Sequence, residues 1–343
     1  MIDILELVRP NIASLCPYST ARDECSSNPE VFLDANESPY PNSWNRYPDP
    51  HQKALKARIA ELKGIKPENL LLGNGSDEAI DLLMRVFCVP GKDNIVAISP
   101  SYGMYSVAAA TNDVSVREVL LRDDFSLDTE ALLAACDSLT KLIFLCSPNN
   151  PSGNAFPLEQ IEEIVSRSGR IVVVDEAYID FSSVPSAVPL TDKYPNLAVL
   201  QTMSKARGMA SLRLGLAIAH ESLVRLMSMV KYPYNINGAT QALALDLLRM
   251  PVEEQVREIV SERERLAREL PRFSFVQKVY PSDANFLLVR VDDADALYAY
   301  LLEGGVIVRN RTRMPLCRDC LRITIGLPSE NDRMLSILDS YKQ

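Results

Sequence analysis

Histidine is scarce in this sequence, because the 343 residues include only two, His51 and His220. A multi-histidine metal site would need aspartate, glutamate or cysteine for its other ligands. Serine–histidine catalysis would have only two candidate bases. We therefore expect no metal site, and we expect chemistry that depends on lysine, arginine, aspartate, tyrosine or a cofactor.

Excess basic charge and long apolar runs are also lacking. Lysine and arginine number 36 against 45 aspartates and glutamates, a net charge of −9, whereas a nucleic-acid partner requires a basic face. No apolar run approaches the roughly 18 residues that span a membrane. Asp3 and Glu6 stand where a signal peptide carries basic residues. We therefore predict a cytoplasmic protein without nucleic-acid or membrane partners.

The seven cysteines do not follow the pattern of a disulfide framework, because their number is odd and their spacing irregular. The last two belong to Cys317-Arg318-Asp319-Cys320, a CxxC pair without the second pair that would complete a zinc site. The pattern favours reduced, structural thiols at positions 16, 25, 88, 136, 146, 317 and 320.

Short apolar runs separated by helical patterns indicate an α/β fold. Such β-branched runs, when they alternate with helices, are typical of a buried parallel sheet. The predicted strands are Leu70–Leu72, Ile95–Ile98, Leu142–Leu145, Ile171–Val174, Leu197–Leu200 and Leu214–Ala219.

The pattern changes after residue 221. The short runs Phe286–Val291, Val306–Val308 and Leu321–Ile325 are mixed there with helical stretches, which predicts a small α+β domain. A chain of this length also exceeds one ordinary hydrophobic core, so two domains are expected.

Polar clusters follow several predicted strands, where open parallel sheets bind their ligands. Gly73–Asp77 combines small residues with a helix N-terminus, which suits an anion; a tight turn with Asp77 near an N-cap is the alternative. Ser147–Gly153 holds two prolines and a glycine, and this rigid turn would hold the Asn150 amide in one place.

Charged residues complete this set. Asp175 directly follows a buried strand, so it needs a cation unless it is an ordinary solvated acid or helix cap. Lys205 is a candidate Schiff-base amine, and Arg213 has the geometry for a phosphate, although either could be an unrelated surface residue. An anion cradle, a buried aspartate, an amine and an arginine are together what pyridoxal 5′-phosphate requires.

Two sets of motifs carry a family resemblance. Pro148–Gly153, Asp175–Tyr178 and Ser204–Gly215 resemble the fold-type I aminotransferases of classes I and II. A second set resembles the histidinol-phosphate aminotransferases within that family: Leu33–Glu37, Arg46–Asp49, Gly73–Glu78, Pro100–Tyr105, Tyr232–Asn237, Asp283–Phe286, Gly305–Arg309 and Cys320–Thr324.

The resemblance implies the domain organisation. It predicts a large domain, residues 34–237, with a mostly parallel seven-stranded sheet between helices. A small α+β domain follows in residues 238–343. Residues 1–33 are implied to be an arm that contributes to the active site and to the small domain.

The resemblance also implies roles around the cofactor ring. Lys205 would bind pyridoxal phosphate covalently and move the proton between substrate and cofactor. Asp175 would pair with the pyridine nitrogen, and Tyr102 would stack on the ring. Tyr178 and Asn150 would bind the ring hydroxyl.

A further group is implied to hold the cofactor phosphate, namely Ser204, Arg213 and the backbone of Ser76 and Asp77. Tyr47 would reach the phosphate of the neighbouring subunit's cofactor. A homodimer with shared active sites is therefore part of the prediction.

The implied reaction is transamination of L-histidinol phosphate with 2-oxoglutarate to imidazole acetol phosphate and glutamate, in histidine biosynthesis. Arg322 and Arg309 would bind the substrate anions, with Asn36 nearby and Tyr18 closing over the site. An aromatic amino-acid aminotransferase, a threonine-phosphate decarboxylase and a non-enzymatic ligand-binding regulator stay open as alternatives. Arg207, where the family often has an aromatic residue, has no assigned role.

Overall fold

Helices and strands alternate along this computed structural model, which describes residues 3–24 and 30–341. Cys25 and parts of the predicted arm lie outside the described residues. The helices are α1 (Pro10–Ala13), α2 (Ala21–Glu24), α3 (Lys53–Lys63), α4 (Ser76–Phe87), α5 (Met104–Thr111), α6 (Thr129–Ala134), α7 (Leu158–Ser168), α8 (Glu221–Val230), α9 (Gly238–Leu247), α10 (Glu253–Glu269), α11 (Ala294–Glu303) and α12 (Pro328–Asp339).

The strands form two sheets within the described residues. Short 3-10 helices connect several of the elements at Ile4–Leu7, Pro67–Asn69, Ile179–Phe181, Val188–Asp192, Ala210–Leu212 and Leu270–Arg272. The strands are β1 (Leu70–Asn74), β2 (Asn94–Ser99), β3 (Ser115–Leu120), β4 (Thr140–Cys146), β5 (Ile171–Asp175), β6 (Leu197–Thr202), β7 (Leu214–Ala219), β8 (Val276–Val279), β9 (Phe286–Val291), β10 (Arg309–Asn310) and β11 (Cys320–Thr324).

The larger sheet has seven strands in the order β1-β7-β6-β5-β4-β2-β3. Its neighbours from β6 to β3 pair in parallel, and β7 runs antiparallel to both of its neighbours. The predicted mostly parallel seven-stranded sheet is therefore confirmed, as is each apolar run that was assigned to it.

β5 shows why this sheet is covered on both faces. Ile171 and Val173 pack into one apolar cluster, and Val172 and Val174 pack into another, because successive strand residues face opposite sides. Residues of α4, α5 and α8 belong to the first cluster, and residues of α6 and α7 belong to the second. A strand with two buried faces reads as a continuous apolar run, which made it recognisable from sequence.

Two elements differ from the sequence expectation. β3 was not predicted, because it lies at the sheet edge and exposes Ser115, Arg117 and Glu118, so it has no continuous apolar run. The predicted strand Val306–Val308 is wrong: pairing begins only at β10, where Arg309 lies opposite Arg322.

The smaller sheet is antiparallel, in the order β10-β11-β9-β8. Its apolar face packs with residues of α10, α11 and α12 into a separate core. This arrangement matches the predicted small α+β unit, whereas the predicted boundaries after residues 33 and 237 stay predictions. No helix in the described part of the chain is long and apolar enough to cross a membrane.

β7 lies very close to the loop after β1 at Gly215. A Cβ atom at this position would lie 2.1 Å from the backbone carbon of Gly75 and from the backbone nitrogen of Ser76. The backbone nitrogen of Gly75 also donates to the carbonyl of Arg213 over 2.7 Å. The missing side chain at 215 therefore allows the start of α4 to lie directly against β7.

We predict that Gly215→Ala lowers the free energy of unfolding by about 3 kcal/mol, because two backbone segments must separate to admit the methyl group. Gly103→Ala is the matched control, since no atom lies within 4 Å of a Cβ at that position. Chemical denaturation of both variants measures the difference. Equal stability of the two variants would contradict the prediction.

Candidate active site

Loops from neighbouring strands meet at one edge of the larger sheet. β4, β5 and β6 are parallel and end at this edge, and β7 begins there because it runs antiparallel to β6. Asn150 follows β4, Asp175 is the last residue of β5, Lys205 follows β6 and Arg213 precedes β7. Residues distant in sequence therefore meet at the position where such sheets bind ligands.

A pocket at this edge collects most of the predicted site. Besides the predicted residues, Gly75, Cys146, Ala177 and Thr202 contribute to its wall. The predicted residues that line it are Ser76, Asp77, Tyr102, Asn150, Asp175, Tyr178, Ser204, Lys205 and Arg213.

Asp175 is the buried carboxylate of this pocket, with 2% of its surface exposed. It accepts hydrogen bonds from the Tyr105 hydroxyl over 2.8 Å and from the Ala177 backbone N–H over 3.1 Å. Among the described residues, no cation lies within ion-pair distance of it. Burial raises its pKa from 3.8 to about 6, against the opposing effect of the hydrogen bonds.

Tyr105 is a functional residue that the sequence reasoning missed. Its ring is 1% exposed and stacks on Phe144 at 4.8 Å between centroids, so the hydroxyl is held against Asp175. The Pro100–Tyr105 motif contained this tyrosine, but nothing in the sequence showed which acceptor it reaches. Cys146 also lines the pocket, but the sequence reasoning counted it only as one of the thiols.

Lys205 opens onto the pocket beside Tyr178. Its Nζ lies 5.4 Å from the centroid of the Tyr178 ring. Desolvation by the surrounding protein lowers the pKa of Lys205, and the positive charge of Arg322 lowers it further. A larger share of this amine is therefore neutral near pH 7 than for a lysine in water.

The start of α4 provides an anion cradle. Gly75 is its N-cap, with φ 72°, and the first backbone N–H groups of a helix have no partner within it. Arg213 lies 3.5 Å from the Asp77 carboxylate, and the Tyr102 hydroxyl donates to the same carboxylate over 3.0 Å. Asp77 thereby positions two side chains, while the ring-stacking role of Tyr102 stays a prediction.

Arg322 connects the small sheet to this pocket. Its Nη1 donates to the side-chain oxygen of Asn150, and its guanidinium carbon lies 5.2 Å from the centroid of the Phe286 ring. Burial lowers its pKa. Arg309 lies opposite Arg322 on β10 and is exposed.

The remaining predicted residues lie outside the pocket of this chain. Tyr18 is 74% exposed and borders a different cavity with His51. Asn36 and Tyr47 border a third cavity, where Tyr47 stacks on Tyr234 at 4.6 Å. Their predicted roles stay predictions.

Glu37 holds the Tyr47 segment and was not singled out from sequence. Its carboxylate accepts hydrogen bonds from Arg22, Arg46 and the backbone N–H of Tyr47. These partners outweigh the effect of burial and lower its pKa from 4.5 to about 2.

Arg207, which had no role assigned from the sequence, donates a hydrogen bond to the carbonyl of Met250 and does not line the pocket.

Metal and disulfide chemistry find no support in the described residues. No group of three or more histidine, cysteine, aspartate or glutamate side chains in this part of the chain could hold a metal ion. Cys317 and Cys320 are free thiols buried in the core. His220 accepts a hydrogen bond from the Ser222 backbone at the start of α8, which is a capping role.

The chain is similar to known proteins over nearly its whole length. The sequence model of the family "Aminotransferase class I and II" matches residues 20–338. The histidinol-phosphate aminotransferase of Parabacteroides distasonis is 53% identical over 344 residues, which cover 100% of both chains.

Solved structures agree with this similarity. The histidinol-phosphate aminotransferase of Clostridium acetobutylicum has a TM-score of 0.79 and 27% identity, covering 85% of this chain and 89% of its own. That of Sinorhizobium meliloti, solved in complex with pyridoxal-5′-phosphate, has a TM-score of 0.78 and 26% identity, covering 86% and 83%.

The pocket residues fit pyridoxal phosphate. A protonated pyridine nitrogen would supply the cation that Asp175 lacks among the described residues. A Cβ at Gly75 would lie 2.6 Å from Nη2 of Arg213, so the glycine keeps the cradle open for a phosphate. Lys205 lines the same pocket and provides an amine for the aldehyde.

We predict that Asp175→Asn stabilises the cofactor-free protein as the pH rises. The wild-type carboxyl is neutral in both states below pH 3.8, but above pH 6 folding must bury its charge, which costs about 3 kcal/mol. The variant avoids this cost. Its side-chain oxygen still accepts from the Ala177 backbone N–H, and its amide N–H donates to the Tyr105 hydroxyl, which can accept as well as donate. Unfolding free energies at pH 4 and pH 7.5 measure the effect.

The control for this prediction is Asp246→Asn, which removes an exposed carboxylate whose side chain is 70% accessible. Its stability relative to wild type should stay constant between the two pH values. An Asp175→Asn protein that is less stable than wild type at pH 7.5 would overturn the prediction.

Proposed function

The chain belongs to the class I and II aminotransferase family, and we propose that it transfers the amino group of L-histidinol phosphate to 2-oxoglutarate. The products are imidazole acetol phosphate and glutamate, and the reaction is a step of histidine biosynthesis. As a member of this family the chain is a pyridoxal-phosphate-dependent enzyme.

The observation that carries the proposal is identity of 53% to a histidinol-phosphate aminotransferase over the full length of both chains. The pocket supports the same conclusion, because its residues fit the cofactor that such a reaction requires. A cytoplasmic location, predicted from sequence, stays a prediction.

Lys205 and Asp175 divide the proton chemistry. Bound pyridoxal phosphate withdraws electrons from the substrate Cα. Lys205, with its lowered pKa, would accept the proton from that carbon and return it at C4′ of the cofactor. Asp175 would stay ionised beside the ring nitrogen, because a positive charge there offsets the cost of burying the carboxylate.

Asn150 and Tyr178 line the pocket and would hold the ring oxygen of the cofactor. The side-chain oxygen of Asn150 accepts a hydrogen bond from Arg322, so the side-chain N–H groups of Asn150 stay available to donate to the ring oxygen. Tyr178 is 7% exposed and packs edge-on against Phe286 at 5.1 Å, so its hydroxyl has little freedom. Ser204, Arg213 and the first turn of α4 would bind the cofactor phosphate.

The substrates differ in the anion that they present. Histidinol phosphate carries a phosphate where an amino acid carries a carboxylate, so one set of cations must accept both. We assign this task to Arg322 and Arg309, with Asn36 nearby and Tyr18 of the arm closing over the substrate. A guanidinium binds either anion through paired N–H groups.

A homodimer explains the position of Tyr47. This residue lies outside the pocket of its own chain and is half exposed, at 50%, although Glu37 holds its backbone firmly. We propose that Tyr47 donates to the cofactor phosphate of the partner subunit. Each active site would then use residues of both chains.

We predict that the purified enzyme uses L-histidinol phosphate with a kcat/KM about 100-fold above those for phenylalanine, tyrosine and phosphothreonine. Assays of amino transfer and of carbon dioxide release distinguish transamination from decarboxylation. Lys205→Ala should abolish turnover, because it removes the pocket amine that is proposed to bind the cofactor and move the proton.

Each rival function has its own outcome in this experiment. Preference for phenylalanine or tyrosine would make the protein an aromatic aminotransferase, and carbon dioxide from phosphothreonine would make it a decarboxylase. Cofactor binding without turnover of any substrate would favour a ligand-binding regulator. The control is Lys231→Gln, because Lys231 is also half buried with its pKa lowered to about 8 but lies outside the pocket.

We predict that mixed dimers of Lys205→Ala and Tyr47→Phe chains regain activity at limiting cofactor. Both substitutions fall in one site of the mixed dimer, so the other site is intact if Tyr47 acts across the interface. The mixed dimer should therefore show about half of wild-type activity, well above either homodimer. Differently tagged chains, purified through both tags, allow the measurement.

One control and one contradicting outcome complete this test. The Tyr47→Phe homodimer should bind pyridoxal phosphate about tenfold more weakly, since one hydrogen bond to a charged group is lost. Mixed dimers that are no more active than the Tyr47→Phe homodimer would show that Tyr47 serves its own subunit or none.

A further inference from the structure

Three arginines lie on one face of the small sheet. Arg309 is directly opposite Arg322 in the β10–β11 ladder, and the Arg311 backbone N–H continues this ladder by donating to Cys320 over 2.8 Å. Opposite residues, and residues two apart on one strand, share a face. Arg309, Arg311 and Arg322 therefore point to the same side, on which Arg322 reaches Asn150.

No carboxylate in the described part of the chain forms an ion pair with any of the three. Arg311 is only partly exposed, and burial together with the charges of Arg322 and Arg309 lowers its pKa from 12.5 to about 10. Partly buried cations without counter-ions are costly. A bound anion would remove this cost.

Unpaired donors mark the place for such an anion. Within the described residues, Nε of Arg311 and the hydroxyl of Thr312 are buried and have no hydrogen-bond partner. Both residues border a cavity of 430 Å³ with Arg309, which is large enough for a substrate group. Asp295 also borders it, but its carboxylate accepts a hydrogen bond from Asn310.

We propose that Arg311, together with Thr312, binds the phosphate end of the substrate and thereby selects phosphate-bearing amines over amino acids. The phosphorus of histidinol phosphate lies two bonds farther from Cα than the carbon of an α-carboxylate. Arg322 contacts Asn150 at the cofactor site, and Arg311 pairs with Cys320, two residues along β11 from Arg322. A phosphate on its longer arm contacts Arg311 in addition to Arg322 and Arg309, whereas a carboxylate contacts only Arg322 and Arg309. This inference rests on the proposed function for the identity of the substrate.

The two half-reactions, followed separately by cofactor absorbance in single turnovers, test this role. Arg311→Gln should lower kcat/KM for histidinol phosphate by about 10- to 100-fold, the effect of losing one charged hydrogen-bond pair. The half-reaction with 2-oxoglutarate, and that with histidinol, which lacks the phosphate, should change by less than about threefold. Arg311→Lys should recover part of the loss, because it restores charge without the fork geometry.

Arg318→Gln is the matched control, since it removes the same charge from the same loop at a side chain that is 91% accessible. Equal losses with all three substrates would show that Arg311 supports the fold or the cofactor, and unchanged kinetics with histidinol phosphate would show that the phosphate does not reach it. Either result overturns the inference.

A binding measurement separates this inference from the proposed function. Calorimetric titration of the holoenzyme with inorganic phosphate should detect a site that Arg311→Gln weakens about tenfold and Arg318→Gln leaves intact. If wild-type enzyme does not use histidinol phosphate, the proposed function fails, but loss of phosphate binding in Arg311→Gln would still support the anion site. Phosphate that binds wild type and Arg311→Gln equally would overturn it.

Discussion

The buried carboxylate of Asp175 is the constraint on which the rest of the site depends. It sits at the end of β5 with 2% exposure, and two hydrogen bonds from Tyr105 and Ala177 hold it there. These bonds do not neutralise it, so its pKa rises to about 6. A bound cationic ring nitrogen would stabilise the charged carboxylate, so cofactor binding would offset the cost of burying this charge.

Four positively charged side chains lie around or near the pocket that holds the negative charge of Asp175. Lys205 and Arg213 come from the large sheet, whereas Arg322 and Arg311 come from the small one. In the roles proposed above, the first pair would bind the cofactor and the second pair the substrate. The hydrogen bond from Arg322 to Asn150 joins the two pairs, so the groups proposed for the substrate and for the cofactor adjoin each other.

The strands that cross the middle of the larger sheet were predictable, because burial on both faces demands uninterrupted apolar residues. β3 was not predicted, because only one of its faces meets the core. Val306–Val308 was wrongly predicted as a strand, because an apolar triplet does not show whether a partner strand lies beside it. Most of the pocket was predictable too, since each polar cluster followed a recognisable strand. Tyr105 was not, because its role depends on Phe144 and Asp175, which lie far away in sequence.

The sequence by itself determined the fold class and the identity of the cofactor, and it predicted the residues proposed for the chemistry, because each depends on local motifs at the ends of strands. The tertiary structure decided which groups meet. In the folded chain the Tyr105 hydroxyl donates to Asp175 and Gly215 lies against the start of α4. Arg311 shares one face of the small sheet with Arg322. These relations depend on strand order and register, which a linear pattern of residues does not specify.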